Sequence, residues 1–214
     1  MKTLVALAMS LATAVTSAAI ADSTREWRFD VSLDGRPIGH HTFVLREGGD
    51  SLELTSEARF RVRVLFINAY SYDHRAHESW RGGCLEKLDA RTDSNGKETV
   101  VTGTQALGEF RLAGSKAAPL DACVQTFAYW NPRILEAHRL LNPQTGEYVP
   151  VKALLMGRET LAGQPADRYR LIGEGREPLQ IDLWYTPGRD WLALESLTPE
   201  GHRLRYARKT GDAR

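Results

Sequence analysis

Between Leu52 and Val64 the chain alternates almost without interruption. Leu52, Leu54, Ser56, Ala58, Phe60, Val62 and Val64 share one parity, while Glu53, Glu57, Arg59, Arg61 and Arg63 share the other. Successive side chains of a strand point to opposite faces, so this run separates an apolar face from a charged one only when extended. A helix of the same residues would distribute its charges around the whole circumference. The same period recurs along the chain. Trp27, Phe29, Val31 and Leu33 alternate with Arg28, Asp30 and Ser32, and Tyr70, Tyr72, His74, Ala76, Glu78 and Trp80 share a parity. Further strands are predicted over 38–46, 85–92, 99–106, 107–112, 149–156, 160–161, 166–172, 179–185, 191–198 and 202–208. Asp34-Gly35-Arg36-Pro37, Gly48-Gly49-Asp50, Arg81-Gly82-Gly83 and Ser94-Asn95-Gly96-Lys97 supply the turns. Gly tolerates positive φ there, and Pro removes a ladder donor. Asn131 is a helix cap and Pro132 suits a first helical position, which predicts one or two short helices near 132–140. The expected fold is all-β and mainly antiparallel. Its sheet is strongly curved or partly closed, because a long flat sheet would present exposed edges.

The first 21 residues follow a different rule. Lys2 precedes an apolar stretch from Leu4 to Val15, and small residues lead to Ala19-Ile20-Ala21. This is the pattern of a cleavable secretory signal, and it directs residues 22–214, a single β domain with a short flexible C-terminal tail, to the periplasm or the exterior. Lys2 is the only charged residue of that leader, so its removal brings the 28 basic residues level with the 27 acidic ones. A neutral chain lacks the basic face that nucleic acid or a polybasic membrane contact requires. No second apolar run approaches the roughly 20 residues of a membrane span. Cys84 and Cys123 share an oxidising destination, where an even count favours a disulfide. The alternative is two buried thiols packed as small hydrophobes.

Chemistry-bearing residues are scattered. If 70–80 is a strand, His74 and Glu78 face one side while Asp73 and His77 face the other, so no metal ligand set converges. His74 and Glu78 would instead order the sheet by bonding to each other. Of the adjacent His40 and His41, one alone faces inward. There is no G-x-S-x-G elbow, neither cysteine has a catalytic context, and no cofactor is expected. Two aromatic clusters fall outside clean alternation: Leu65, Phe66 and Ile67, and Phe127, Tyr129 and Trp130. Around the first, the chain ends a buried strand, crosses between sheets, or forms a loop at a cavity mouth. Both clusters would line or gate an apolar pocket at an open end of the curved sheet, or else plug that end.

Several phrases resemble an uncharacterised family of exported proteins from Gram-negative bacteria, a domain of unknown function. They include Phe29-Asp30-Val31, Leu33-Asp34-Gly35, the Y-x-Y-x-H-x-x-x-E-x-W stretch from Tyr70 to Trp80, and Phe127 to Pro132. Leu141 to Gly146, Ile181 to Tyr185, Trp191 to Leu194 and Gly201 to Tyr206 extend the resemblance over nearly the whole chain beyond the leader. More loosely, the closing strands are similar to the lipoprotein-carrier proteins of the bacterial periplasm, half-open barrels whose apolar lining accepts acyl chains. That likeness implies non-catalytic binding of an apolar, lipid-like ligand. An envelope assembly factor that engages another protein through a sheet edge is the alternative, and a hydrolase the third.

Overall fold

The computed structural model describes residues 23–64, 67–115, 118–174 and 178–209. Residues 1–22 and those from 210 onward lie outside them, as do Leu65 and Phe66. Seven strands come first: β1 (Ser23–Leu33), β2 (Arg36–Gly48), β3 (Ser51–Val64), β4 (Ile67–Arg81), β5 (Cys84–Ser94), β6 (Lys97–Ala106) and β7 (Glu109–Leu112). Six follow: β8 (Arg139–Leu141), β9 (Tyr148–Leu161), β10 (Gln164–Glu174), β11 (Pro178–Tyr185), β12 (Trp191–Leu197) and β13 (Arg203–Arg208). All belong to one antiparallel sheet of order β7-β6-β5-β4-β3-β2-β1-β13-β12-β11-β10-β9-β8. Two meanders are therefore joined where β1 pairs with β13, with Phe29 opposite Arg208 and Leu33 opposite Leu204.

The outermost strands, β7 and β8, do not pair with each other. Residues 118–131 cross between them as a strap. The strap's Leu120 N–H donates to Phe110 O of β7 at 2.8 Å, and Leu141 N–H of β8 donates to the strap's Gln125 O at 2.8 Å. Cys84, at the start of β5, is disulfide-bonded to Cys123 of the strap, and Leu85 N–H donates to Val124 O beside it. The disulfide is thus formed, and it closes a loop with a sequence separation of 39.

The strand patterning is as expected: Leu54, Ser56, Ala58 and Phe60 of β3 are buried and the charges between them are not. The inward faces of all these strands converge on one core around Trp27, Trp80, Trp191, Phe29 and Phe110, each nearly inaccessible. Val64 pairs with Ile67, so β3 and β4 are neighbours in one antiparallel ladder and do not belong to two different sheets. At Gly39 of β2 the backbone has φ +153°, and a Cβ would sit 1.9 Å from Arg59 O. Only glycine lets β2 and β3 approach so closely at that point.

Three expectations need correction. The helical region is a single 3-10 turn, Pro132–Leu135, with Asn131 accepting from Arg133 N–H as its cap, and by Arg139 the chain is already strand. The segments 149–156 and 160–161 are one strand, β9. Its ladder with β10 shifts register between Arg168 and Tyr169, where Leu155 and Gly157 face consecutive partners and Met156 is the extra residue of a bulge. The 107–112 segment is strand only from Glu109, because Leu107 and Gly108 form the preceding turn at positive φ.

Candidate functional site

The inward face is not completely filled. A cavity of about 740 Å³ lies between β2, β3 and β4 on one wall and β9, β11 and β12 on the other, with the strap along its side. For β4 and β11 to share a cavity, the sheet must curl through most of a turn. Phe43, Leu54, Phe127, Val149, Leu179 and Ile181 supply apolar wall. Exposed residues of the 142–147 turn together with Pro178, Leu197 and Pro199 form the mouth. A cleft of about 550 Å³ also lies on the outer face, beneath the β9–β10 turn. It is bordered by Asp190, which pairs with Arg208 on the same lining and with Arg25.

A polar set faces the inner cavity, and each member arrives by strand parity. His41 of β2 packs flat on Phe43, with ring centroids 4.0 Å apart. Its Nε2 is 2.7 Å from Ser56 Oγ of β3, and its Nδ1 is 3.3 Å from Tyr206 Oη of β13. Burial, and then the neighbouring His74 and His40, hold its pKa well below the usual histidine range. In a hydrolytic triad a carboxylate would take the Nδ1 side; here a tyrosine hydroxyl does. His74 Nδ1 is 2.9 Å from Thr92 Oγ1, and burial lowers its pKa to about 4. Both imidazoles are therefore neutral at physiological pH.

Glu78 is the most unusual member. It is 3% exposed, and its Oε2 accepts from Trp80 Nε1–H at 3.0 Å and Thr126 Oγ1–H at 3.3 Å. Burial pushes its pKa up to about 7 against the lowering effect of those two hydrogen bonds. His74 and Glu78 share the inner face as expected, but they bond to partners on other segments and not to each other. Asp73 lies outside and pairs with Arg59 and Arg61, and His77, also exposed, meets Thr55. Among the described residues no three His, Cys, Asp or Glu side chains converge as a metal site would require.

The aromatic clusters divide. Phe127 and Tyr129 line the cavity, with rings 6.4 Å apart, and the Tyr129 carbonyl accepts from Tyr185 Oη at 2.8 Å. Trp130 lies in the core instead, edge-on to Trp80 at 5.7 Å and tilted against Trp27 at 6.5 Å. Leu65 and Phe66 lie outside the described residues, and Ile67 is placed by its backbone alone, as the first residue of β4. The residues not picked out from the sequence as a binding site are His41, Ser56, His74 and Glu78. All four were legible as inner-face positions, since they share parity with Phe43, Leu54 and Trp80 on their strands.

Residues 29–209, from within β1 to just past β13, match the family described as Domain of unknown function (DUF6134). The chain belongs to this family. The DUF6134 match therefore spans the curled sheet, the strap and the cavity together. In solved structures the DUF6134 chain is similar to a crystallised beta-barrel-like protein of Domain of Unknown Function DUF1849 from Brucella abortus. The TM-score is 0.64 at 9% identity, over 86% of this chain and 94% of that one, a likeness of fold alone. No curated protein matches the DUF6134 chain.

Proposed function

We propose that this DUF6134 protein is exported to the periplasm and there binds, without catalysis, an apolar, lipid-like ligand in the cavity of its curled sheet. The observation that carries this reading is the cavity itself: about 740 Å³ of unfilled space in an otherwise packed interior, walled by Phe43, Leu54, Phe127, Val149 and Ile181. Ligand sites of small molecules span about 300–1,000 Å³, with mostly apolar walls and a few placed polar groups. The test is native mass spectrometry of protein recovered from the periplasm, followed by solvent extraction and lipid analysis. A stoichiometric lipid is expected. It should be lost in Ala76→Phe, which adds a ring to the lining between His74 and Glu78, with a far-ultraviolet circular dichroism spectrum like that of wild type showing that the variant is folded. Recovery of equal lipid from both proteins overturns the reading.

A sheet edge favours a second reading, that of an envelope assembly factor. β8 pairs only with residues 148–150 of β9, so most of β9 has no ladder partner on that side among the described residues. Leu154, Leu155 and Met156 are exposed there. An edge of this kind can accept a strand from a partner protein. Crosslinking from a photoreactive residue at position 155 distinguishes this reading, because a carrier predicts no specific envelope adduct there.

A further inference from the structure

The cavity's charged groups define a headgroup. Among the described residues its lining contains two carboxyl side chains, Glu78 within and Glu147 at the mouth, and neither lysine nor arginine. Glu78 is the buried one. Its Oε2 is occupied by Trp80 and Thr126, while no described residue bonds to Oε1, the oxygen left to a ligand. The remaining titratable groups on the lining, His41, His74 and Tyr129, carry no positive charge to balance it, because burial keeps both imidazoles neutral and the phenol protonated. Tyr206, hydrogen-bonded to His41, is likewise held protonated by burial.

We propose that the cavity selects amphiphiles with a cationic, amine-bearing headgroup, and that Glu78 Oε1 accepts from the ligand's ammonium while the apolar wall takes its chain. The assignment rests on the carriage reading above and narrows it. A fatty-acid carboxylate or a phosphate would meet Glu78 with like charge and find neither lysine nor arginine among the described residues of the lining. An ammonium offers the uncompensated carboxylate a charge-assisted hydrogen bond. Because burial places the Glu78 titration near neutrality, the preference should sharpen as the pH rises from 6 to 8, an interval in which the facing histidines and tyrosines keep their charge state.

The experiment compares dodecylammonium, dodecanol and dodecanoate, each below its micelle-forming concentration, by calorimetry on delipidated full-length mature protein at pH 6 and 8. At pH 8 dodecylammonium should bind tighter than dodecanoate by about tenfold or more, the scale of one hydrogen bond to a charged group. The ratio should shrink at pH 6, and Glu78→Gln should bring the ammonium close to the alcohol at both pH values. If all three bind with no preference for the cation, or if Glu78→Gln keeps the preference, the headgroup assignment fails and the carriage reading stands. If none of the three binds, both fail. Should Glu78→Gln not fold, the wild-type pH series decides the matter by itself.

Discussion

Replacing Glu78 by glutamine preserves the side chain's shape and removes its charge, so its effect on stability is an internal measure of how strongly the cavity disfavours that charge. Burial lifts this carboxyl from its ordinary 4.5 to about 7. The folded protein therefore holds the proton more tightly than the unfolded chain, and the penalty is absent below about pH 4.5. It grows as the pH rises toward 7 and is constant above. A displacement of that size corresponds to roughly 3 kcal/mol at pH 8 and less than about 1 kcal/mol at pH 5. His41 and His74 act in the opposite direction: their folded-state values lie below 6.5, so the stability they confer is lost as the pH falls below that value. That contribution is shared by both proteins and cancels in a comparison. Urea melts of wild type and Glu78→Gln at pH 5 and pH 8 should show the variant's relative stability improving by about 2–3 kcal/mol between the two. For a domain of this size that corresponds to roughly 4–12 °C in melting temperature. Parallel profiles at the two pH values would refute the claim that Glu78 is a buried, uncompensated acid.

Three further perturbations test the frame around the cavity. Cys84→Ser with Cys123→Ser should lower stability by about 4 kcal/mol, the chain-entropy value for a loop of roughly 40 residues, and a thermal melt unchanged by reductant would contradict it. Trp130→Ala removes a ring packed on Trp27 and Trp80, so a loss of about 3–5 kcal/mol is expected in denaturant melts, and a loss below about 1 kcal/mol would place that ring outside the core. Gly39→Ala forces a Cβ against Arg59 O and should cost more than about 2 kcal/mol, with amide exchange accelerated first in β2 and β3.

Much of this architecture is legible in the sequence because strand parity is a local property. β3 and β4 can be read residue by residue, since each exposed charge flanks a buried neighbour, and on β2 only one of His40 and His41 can turn inward. Parity fails where the structure departs from it. From its sequence β9 reads as two strands parted at 157–159, because Gly157, with φ +133°, accompanies a bulge that the strand absorbs. β8 has three residues, too few for a period, and two of them, Leu140 and Leu141, are buried in succession. Within the strap, residues grouped by their proximity in sequence have different surroundings. Trp130 is buried against Trp27 and Trp80, whereas Phe127 and Tyr129 are half-buried and line the cavity. Partner identity was the least legible property. That Glu78 meets Thr126, 48 positions away, follows from how the strap crosses the gap, which no local pattern specifies.

The strap has a mechanical consequence. In a closed barrel the strand number and stagger fix the girth, and widening it means breaking a continuous ladder. Here the seam between β7 and β8 is spanned by a tethered segment held through a few main-chain hydrogen bonds, those of Leu120 with Phe110 and of Leu141 and Phe127 across the other edge. The disulfide anchors that segment to β5, at a point away from both lips of the seam. Parting the two lips of this seam would therefore break only the lacing and leave every rib intact, whereas a closed barrel would lose a whole ladder.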